Sequence, residues 1–157
     1  MNVMRVQTVL PHARDYGHPA TQLLYSSQES DMPKDANAIN LGLDLDGLLD
    51  DANDFFKLLA RIWPGLVVVI SYRRDYAKAE ADLAALGIEY DDLVLVETFD
   101  AKADVIAEKN VGVYFDDQPE MLKNIPEGVH VFLYRNGGNY DFNQKLWLFS
   151  NRTARLI

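Results

Sequence analysis

The stretch Ile39-Asn40-Leu41-Gly42-Leu43-Asp44-Leu45-Asp46-Gly47 decides how the rest of the chain is read. An apolar run of strand type leads into two aspartates separated by one residue, and a glycine closes the segment. An ionised carboxylate buried without a partner is very costly, so two at the end of one strand imply a cation or a retained proton. The stretch therefore predicts a core strand with a site at its carboxyl end.

Working outward, the pattern is regular. A helix begins near Asp51 or Asn53, with Phe55, Leu58, Leu59 and Ile62 as its apolar face and Pro64-Gly65 as its stop. Leu66 to Ile70 reads as a strand buried on both faces. After the loop Ser71 to Arg74, a second helix runs from about Asp75 to Leu86, with Ala79, Leu83 and Leu86 inward and Gly87 ending it. Leu93 to Val96 is a third strand, and Asp100 caps a third helix reaching about Glu108. Val111 to Phe115 is a fourth strand, Pro119 opens a short fourth helix, and Val129 to Tyr134 is a fifth strand. This alternation predicts an α/β fold: a Rossmann-like three-layer sandwich around a five-stranded parallel sheet with right-handed crossovers. Ligands of such sheets bind at the carboxyl ends of the strands.

The flanks are less regular. Residues 1–37 read as an N-terminal arm broken by Pro11, Pro19 and Pro33; its His12 and His18 have no neighbouring ligand and read as exposed or packing residues. Residues 38–157 form the site-bearing domain. Arg135 to Asn139 is a turn-rich loop, and the tail 140–157 carries Phe142, Leu146, Trp147, Leu148 and Phe149. That tail is too apolar to leave in water. It packs back on the sheet or forms a partner surface, a homodimer being one outcome. Trp63 and Trp147 read as packing residues.

Bulk properties narrow the classes. A net charge of -9 over 157 residues argues against a broad nucleic-acid backbone surface. The chain has no cysteine, hence neither disulfide nor thiolate metal site. The longest aliphatic run, Leu66 to Ile70, is too short to span a bilayer, and the N-terminus lacks a secretory pattern. A cytoplasmic chain with no membrane partner is the expectation.

Collecting the strand ends gives Asp44 and Asp46, then Ser71, then Lys102 near the start of the third helix, then Asp116 and Asp117. Hard oxygen ligands without His or Cys suit magnesium. A phosphate monoester repels an attacking carboxylate, so positive charge is needed around its oxygens. Magnesium held by Asp44 and Asp116 would supply part of it and Lys102 the rest. Asp44 is then the candidate nucleophile, and Asp46 the acid that protonates the leaving oxygen and later deprotonates water. Ser71 would donate a hydrogen bond to the phosphoryl group. Lys78 and Lys109 compete with Lys102 but lie farther from the strand tips. Arg73 and Arg74 read as loop charges, one of which can clamp a phosphate. Asp50, Asp51 and Asp54 favour the first helix N-terminus through its dipole. Arg135 and Asn136 follow the fifth strand close to the same rim.

Residues 39–134 resemble the haloacid dehalogenase-type (HAD) phosphohydrolase superfamily. Its four motifs are a strand-end D-x-D, a strand-end Ser or Thr, a helix-opening Lys and an acidic pair after the next strand. Here they read Asp44-Leu45-Asp46-Gly47, Val68-Val69-Ile70-Ser71, Lys102-Ala103-Asp104-Val105 and Val113-Tyr114-Phe115-Asp116-Asp117. The resemblance implies strand order 5-4-1-2-3. It also implies magnesium bound by Asp44, the main-chain carbonyl of Asp46, and an acid at Asp116 or Asp117. Leu48 stands where the family usually has Thr or Val, the flap after Asp46 must be very short, and no span accommodates a cap domain. The resemblance therefore implies a capless phosphatase, a group that tends to act on large or extended phosphorylated substrates. Ser71-Tyr72-Arg73 is similar to the Ser/Thr-x-Arg of polynucleotide 3′-phosphatases and some nucleotidases, with Tyr72 replacing their usual Gly. The expected substrate is a phosphate monoester, on a small molecule or a nucleic-acid end, bound by Ser71, Arg73 and Lys102. The alternative is a phosphatase-like fold serving as a binding or assembly module with little turnover. A receiver domain ranks lower, because receivers carry their acid pair on the first strand.

Overall fold

A computed structural model describes residues 34–148 of the chain. Its central strand is β1 (Asn40–Leu43), with β2 (Val67–Ser71) on one side and β4 (Val111–Asp116) on the other. The edges are β3 (Asp92–Leu95) and β5 (His130–Leu133), and all four pairings are parallel. The order, β3-β2-β1-β4-β5, is the expected one read from the opposite edge. Three helices connect the strands: α1 (Asn53–Ile62), α2 (Tyr76–Leu86) and α3 (Ala101–Glu108). Between β4 and β5 the expected fourth helix is a single 3-10 turn at Pro119–Leu122. Beyond β5 the chain makes a separate antiparallel pair, β6 (Tyr140–Asp141) and β7 (Leu146–Trp147).

The layers follow from side-chain alternation. Every residue of β2 is buried, and its Val-Val-Val-Ile run is stiff at χ1 and suits a strand covered on both faces. Leu41, Leu43, Val67, Val69 and Leu93 meet Phe56 and Ala60 of α1 and Ala79 and Leu83 of α2 on one face. Val68, Ile70 and Tyr114 meet Ile106 of α3 on the other. Each such aliphatic side chain stabilises the fold by about 1.5–3 kcal/mol relative to exposure.

Two local expectations are corrected. In α1 the inward residues are Phe56 and Ala60, with Ala52, Leu59 and Trp63 packed beside them. Phe55, Leu58 and Ile62, expected on the core face, are 55%, 59% and 57% exposed. Asp100 does not cap α3 with its side chain. Thr98 Oγ1 accepts from Ala101 N at 3.2 Å instead, and Asp100 Oδ1 accepts from Asn124 Nδ2 at 2.7 Å. The α2 cap is as expected: Asp75 accepts from Lys78 N at 3.0 Å and the helix stops at Gly87.

Of the arm 1–37, only 34–37 fall in the described residues, where Asp35 N donates to Pro64 O at 2.7 Å. The tail is described through Leu148; the other expectations for both ends, His12 and His18 among them, lie outside the described residues. No helix among the described residues is long and apolar enough to cross a membrane.

Gly42 in β1 allows the closest approach in the sheet centre. A Cβ there would sit 2.7 Å from Tyr114 Cδ2 and 2.9 Å from Val111 Cγ1. Gly42→Ala is expected to lower the unfolding free energy by about 1–3 kcal/mol through overpacking, measured as a lower denaturant midpoint at unchanged m.

Candidate functional site

The topology brings the acids together. Asp44 leaves β1 beside β4, its backbone N donating to Phe115 O at 3.0 Å, and Asp116 is the last residue of β4. The first turn of α3 delivers Lys102 between them. Its Nζ donates to Asp44 Oδ1 at 2.6 Å and to Asp116 Oδ2 at 2.7 Å, and all three side chains are buried. Tyr114, two residues back on the same strand face, donates its hydroxyl to Asp116 Oδ2 at 2.7 Å. Gln118 N donates to Asp116 Oδ1 at 2.7 Å.

Asp117 is held differently. Its Oδ2 accepts from Asn136 Nδ2 at 2.9 Å, while its Oδ1 is buried with no hydrogen-bond partner among the described residues. Asn136 Nδ2 also donates to Gly47 O at 2.7 Å. Asn139 Nδ2 donates to the Asp117 carbonyl at 2.5 Å and to Tyr134 O at 2.7 Å. Gly47 has φ +78°, and a Cβ there would run into the Asp117 carboxylate; glycine is what lets the two loops meet.

Electrostatics set what this cluster can hold. Burial pushes the Asp44 carboxyl well above its usual value, and the Lys102 ammonium offsets this only in part. Burial likewise raises Asp117 to about 6. For Lys102, burial opposes the charge, but Asp116 and Asp44 outweigh it and hold the ammonium well above its usual pKa. Burial also raises the Tyr114 phenol, which stays a donor. Fully ionised, three carboxylates and one ammonium sum to -3 + 1 = -2, the charge one divalent cation neutralises. Asp44, Asp116 and Asp117 each offer an oxygen within 4.8 Å of the others. An all-oxygen donor set with one unpaired buried oxygen fits a hard cation such as magnesium.

Asp46 does not join this group through its side chain. Its carboxylate accepts from Arg73 Nε at 2.8 and 3.1 Å and from Arg73 Nη2 at 2.5 Å, with Ser71 Oγ at 3.4 Å. Arg73 Nη1 donates to Asp82 Oδ2 at 2.6 Å, and Lys78 Nζ reaches the same oxygen at 3.0 Å. Arg73 is thus an anchored partner of Asp46, and Lys78 is a surface helix lysine. Lys109 pairs with Asp92 at 2.8 Å, away from the acids. Leu48, the unexpected residue after the D-x-D, is fully buried in the core. Arg135 lies over the Tyr140 ring at 4.2 Å.

Tyr114 and Asn139 were missed by sequence reasoning, and Asn136 was only placed near the rim. The available signals were a Tyr two residues before Asp116 and two asparagines bracketing Gly137-Gly138. Next to the site, Tyr72, Glu97, Phe99, Asp100, Glu120 and Lys123 line a groove of about 360 Å³. Comparison with known protein families, with curated proteins and with solved structures finds no match for this chain.

Two outcomes follow from the charge balance. Lys102→Met leaves Asp44 and Asp116 buried without their cation and should cost roughly 3–5 kcal/mol of stability in chelator. The loss should shrink in millimolar magnesium, both read by denaturant unfolding. The second concerns pH. Asp117 has a folded value near 6 against an ordinary 3.8, so its contribution is complete below about pH 4 and is lost as pH rises through 6. Chelator-treated protein should lose roughly 3 kcal/mol across that window, and Asp117→Asn should remove that portion of the slope.

Proposed function

We propose that this chain is a capless HAD-type phosphatase that hydrolyses a phosphate monoester with magnesium. The observation supporting it most directly is the meeting of Asp44, Asp116 and Asp117 around Lys102 at the carboxyl ends of β1 and β4. Asp44, Asp116 and Asp117 would hold the ion, which would supply positive charge opposite the phosphoryl oxygens.

The remaining steps belong to the chain's own residues. An Asp44 oxygen attacks phosphorus, forming an O–P bond as the ester P–O bond breaks, and an aspartyl-phosphate results. Lys102, already hydrogen bonded to Asp44, meets the charge that gathers on the phosphoryl oxygens. Asp46, protonated from solvent before the ester bond breaks, gives that proton to the leaving oxygen; it then takes one from the water that attacks phosphorus and restores Asp44. Ser71 and Arg73 orient Asp46, which both touch.

A fold that binds phosphorylated ligands with little turnover is the second reading. It is favoured by the paired state of Asp46, whose carboxylate is engaged by an Arg73 itself anchored to Asp82. A panel of phosphate esters separates the two. Magnesium-dependent release of phosphate, reduced at least about a thousandfold in Asp44→Asn with the fold retained by circular dichroism, is the expected result. Activity surviving that substitution would remove Asp44 as nucleophile.

A further inference from the structure

The tail after β5 was expected to pack back on the sheet or form a partner surface; two aromatic residues of its hairpin face solvent. Phe142 is 59% and Trp147 38% exposed. Tyr140 lies between them, edge-on to each, with ring centroids 5.1 Å apart in both pairs. Arg135 lies 4.2 Å over Tyr140 and 5.6 Å from the Trp147 ring. In a chain of net charge -9, the segment 135–147 carries Arg135 and Lys145 against Asp141, a local balance of 2 - 1 = +1.

The same hairpin is rooted in the acid cluster. Tyr140 N donates to Asn136 O at 3.2 Å and Leu148 N to Asn139 O at 2.7 Å. Those two asparagines are the ones that bind Asp117. The loop that holds Asp117 thus continues directly into exposed aromatic side chains and a cation. The groove by Tyr72 offers three carboxylates to one ammonium and suits an anionic ligand poorly.

We propose that the β6–β7 hairpin seats the leaving group, and that the ligand is a nucleoside monophosphate whose base stacks on Trp147 and Phe142. Every base has a π-face, so stacking on an exposed aromatic pair recognises the class without reading its edges. A mononucleotide is favoured over an oligonucleotide because further phosphates would meet the negative field of the chain. This inference rests on the phosphatase reading for the position of the phosphate.

The test uses adenosine 5′-monophosphate as probe. Titrated in magnesium into the full chain carrying Asp44→Asn, it should quench tryptophan fluorescence saturably. Trp147→Phe, which leaves Trp63, should abolish the quench, and Phe142→Ala should weaken binding roughly five- to a hundredfold. Should Asp44→Asn fail to fold, Asp46→Asn, whose side chain lies outside the acid cluster, takes its place in magnesium. In turnover, Trp147→Ala should raise KM for the nucleotide at least about tenfold more than for acetyl phosphate, which has no ring, with kcat for both changing less than KM. Equal losses on both substrates, no quench, or tighter binding of a 5′-phosphorylated oligonucleotide would overturn the proposal. So would a quench that tracks dimer formation in sedimentation. Turnover of acetyl phosphate without a quench rejects the hairpin and spares the phosphatase; a quench without turnover does the reverse.

Discussion

The ammonium of Lys102, shared between the carboxylates of Asp44 and Asp116, is the interaction around which the rest is arranged. All three are buried, so a charge on any one of them depends on the others being in place. That requirement fixes topology. The order β3-β2-β1-β4-β5 makes β1 and β4 neighbours at the point where the winding reverses, which opens a crevice at their carboxyl ends. Helix α3 must then enter from the opposite layer with a lysine in its first turn. Apolar residues of similar volume would make a core at least as stable. With more carboxylates than cations, the buried cluster is costly to the fold as it stands.

Much of this was legible because it depends on local pattern. The acids follow apolar strands, α2 has its cap and stop residues in place, and β2 is aliphatic throughout up to Ser71. The face of α1 was misread for a physical reason. Its apolar residues recur so densely that two stripes satisfy helical spacing, one through Phe55 and Ile62 and one through Phe56 and Ala60. Only the sheet beneath selects between them. The α3 cap shows the same thing at smaller scale: Thr98 and Asp100 both suit the position, and Asn124, distant in sequence, engages Asp100. The partners of the site residues were the least legible part. Arg73 to Asp46 and Asn136 to Gly47 join positions 27 and 89 residues apart, and no sequence period encodes such bonds.

The acidic pair divides its work in a way that spacing alone left open. Asp116 accepts hydrogen bonds from Lys102, Tyr114 and Gln118 N, so both of its oxygens are engaged. Asp117 has one oxygen on Asn136 and one buried oxygen without a donor among the described residues. A buried carboxylate oxygen lacking a partner is costly, and a cation relieves that cost without breaking any bond already made. At Asp116 the same cation would compete with an ammonium. Asp117 is therefore the oxygen through which the cluster gains most from a metal, and the loop that carries Asn136 and Asn139 sets where that oxygen points. The same two asparagines hold the aromatic hairpin by their main-chain carbonyls, so the acid and the rings share one support.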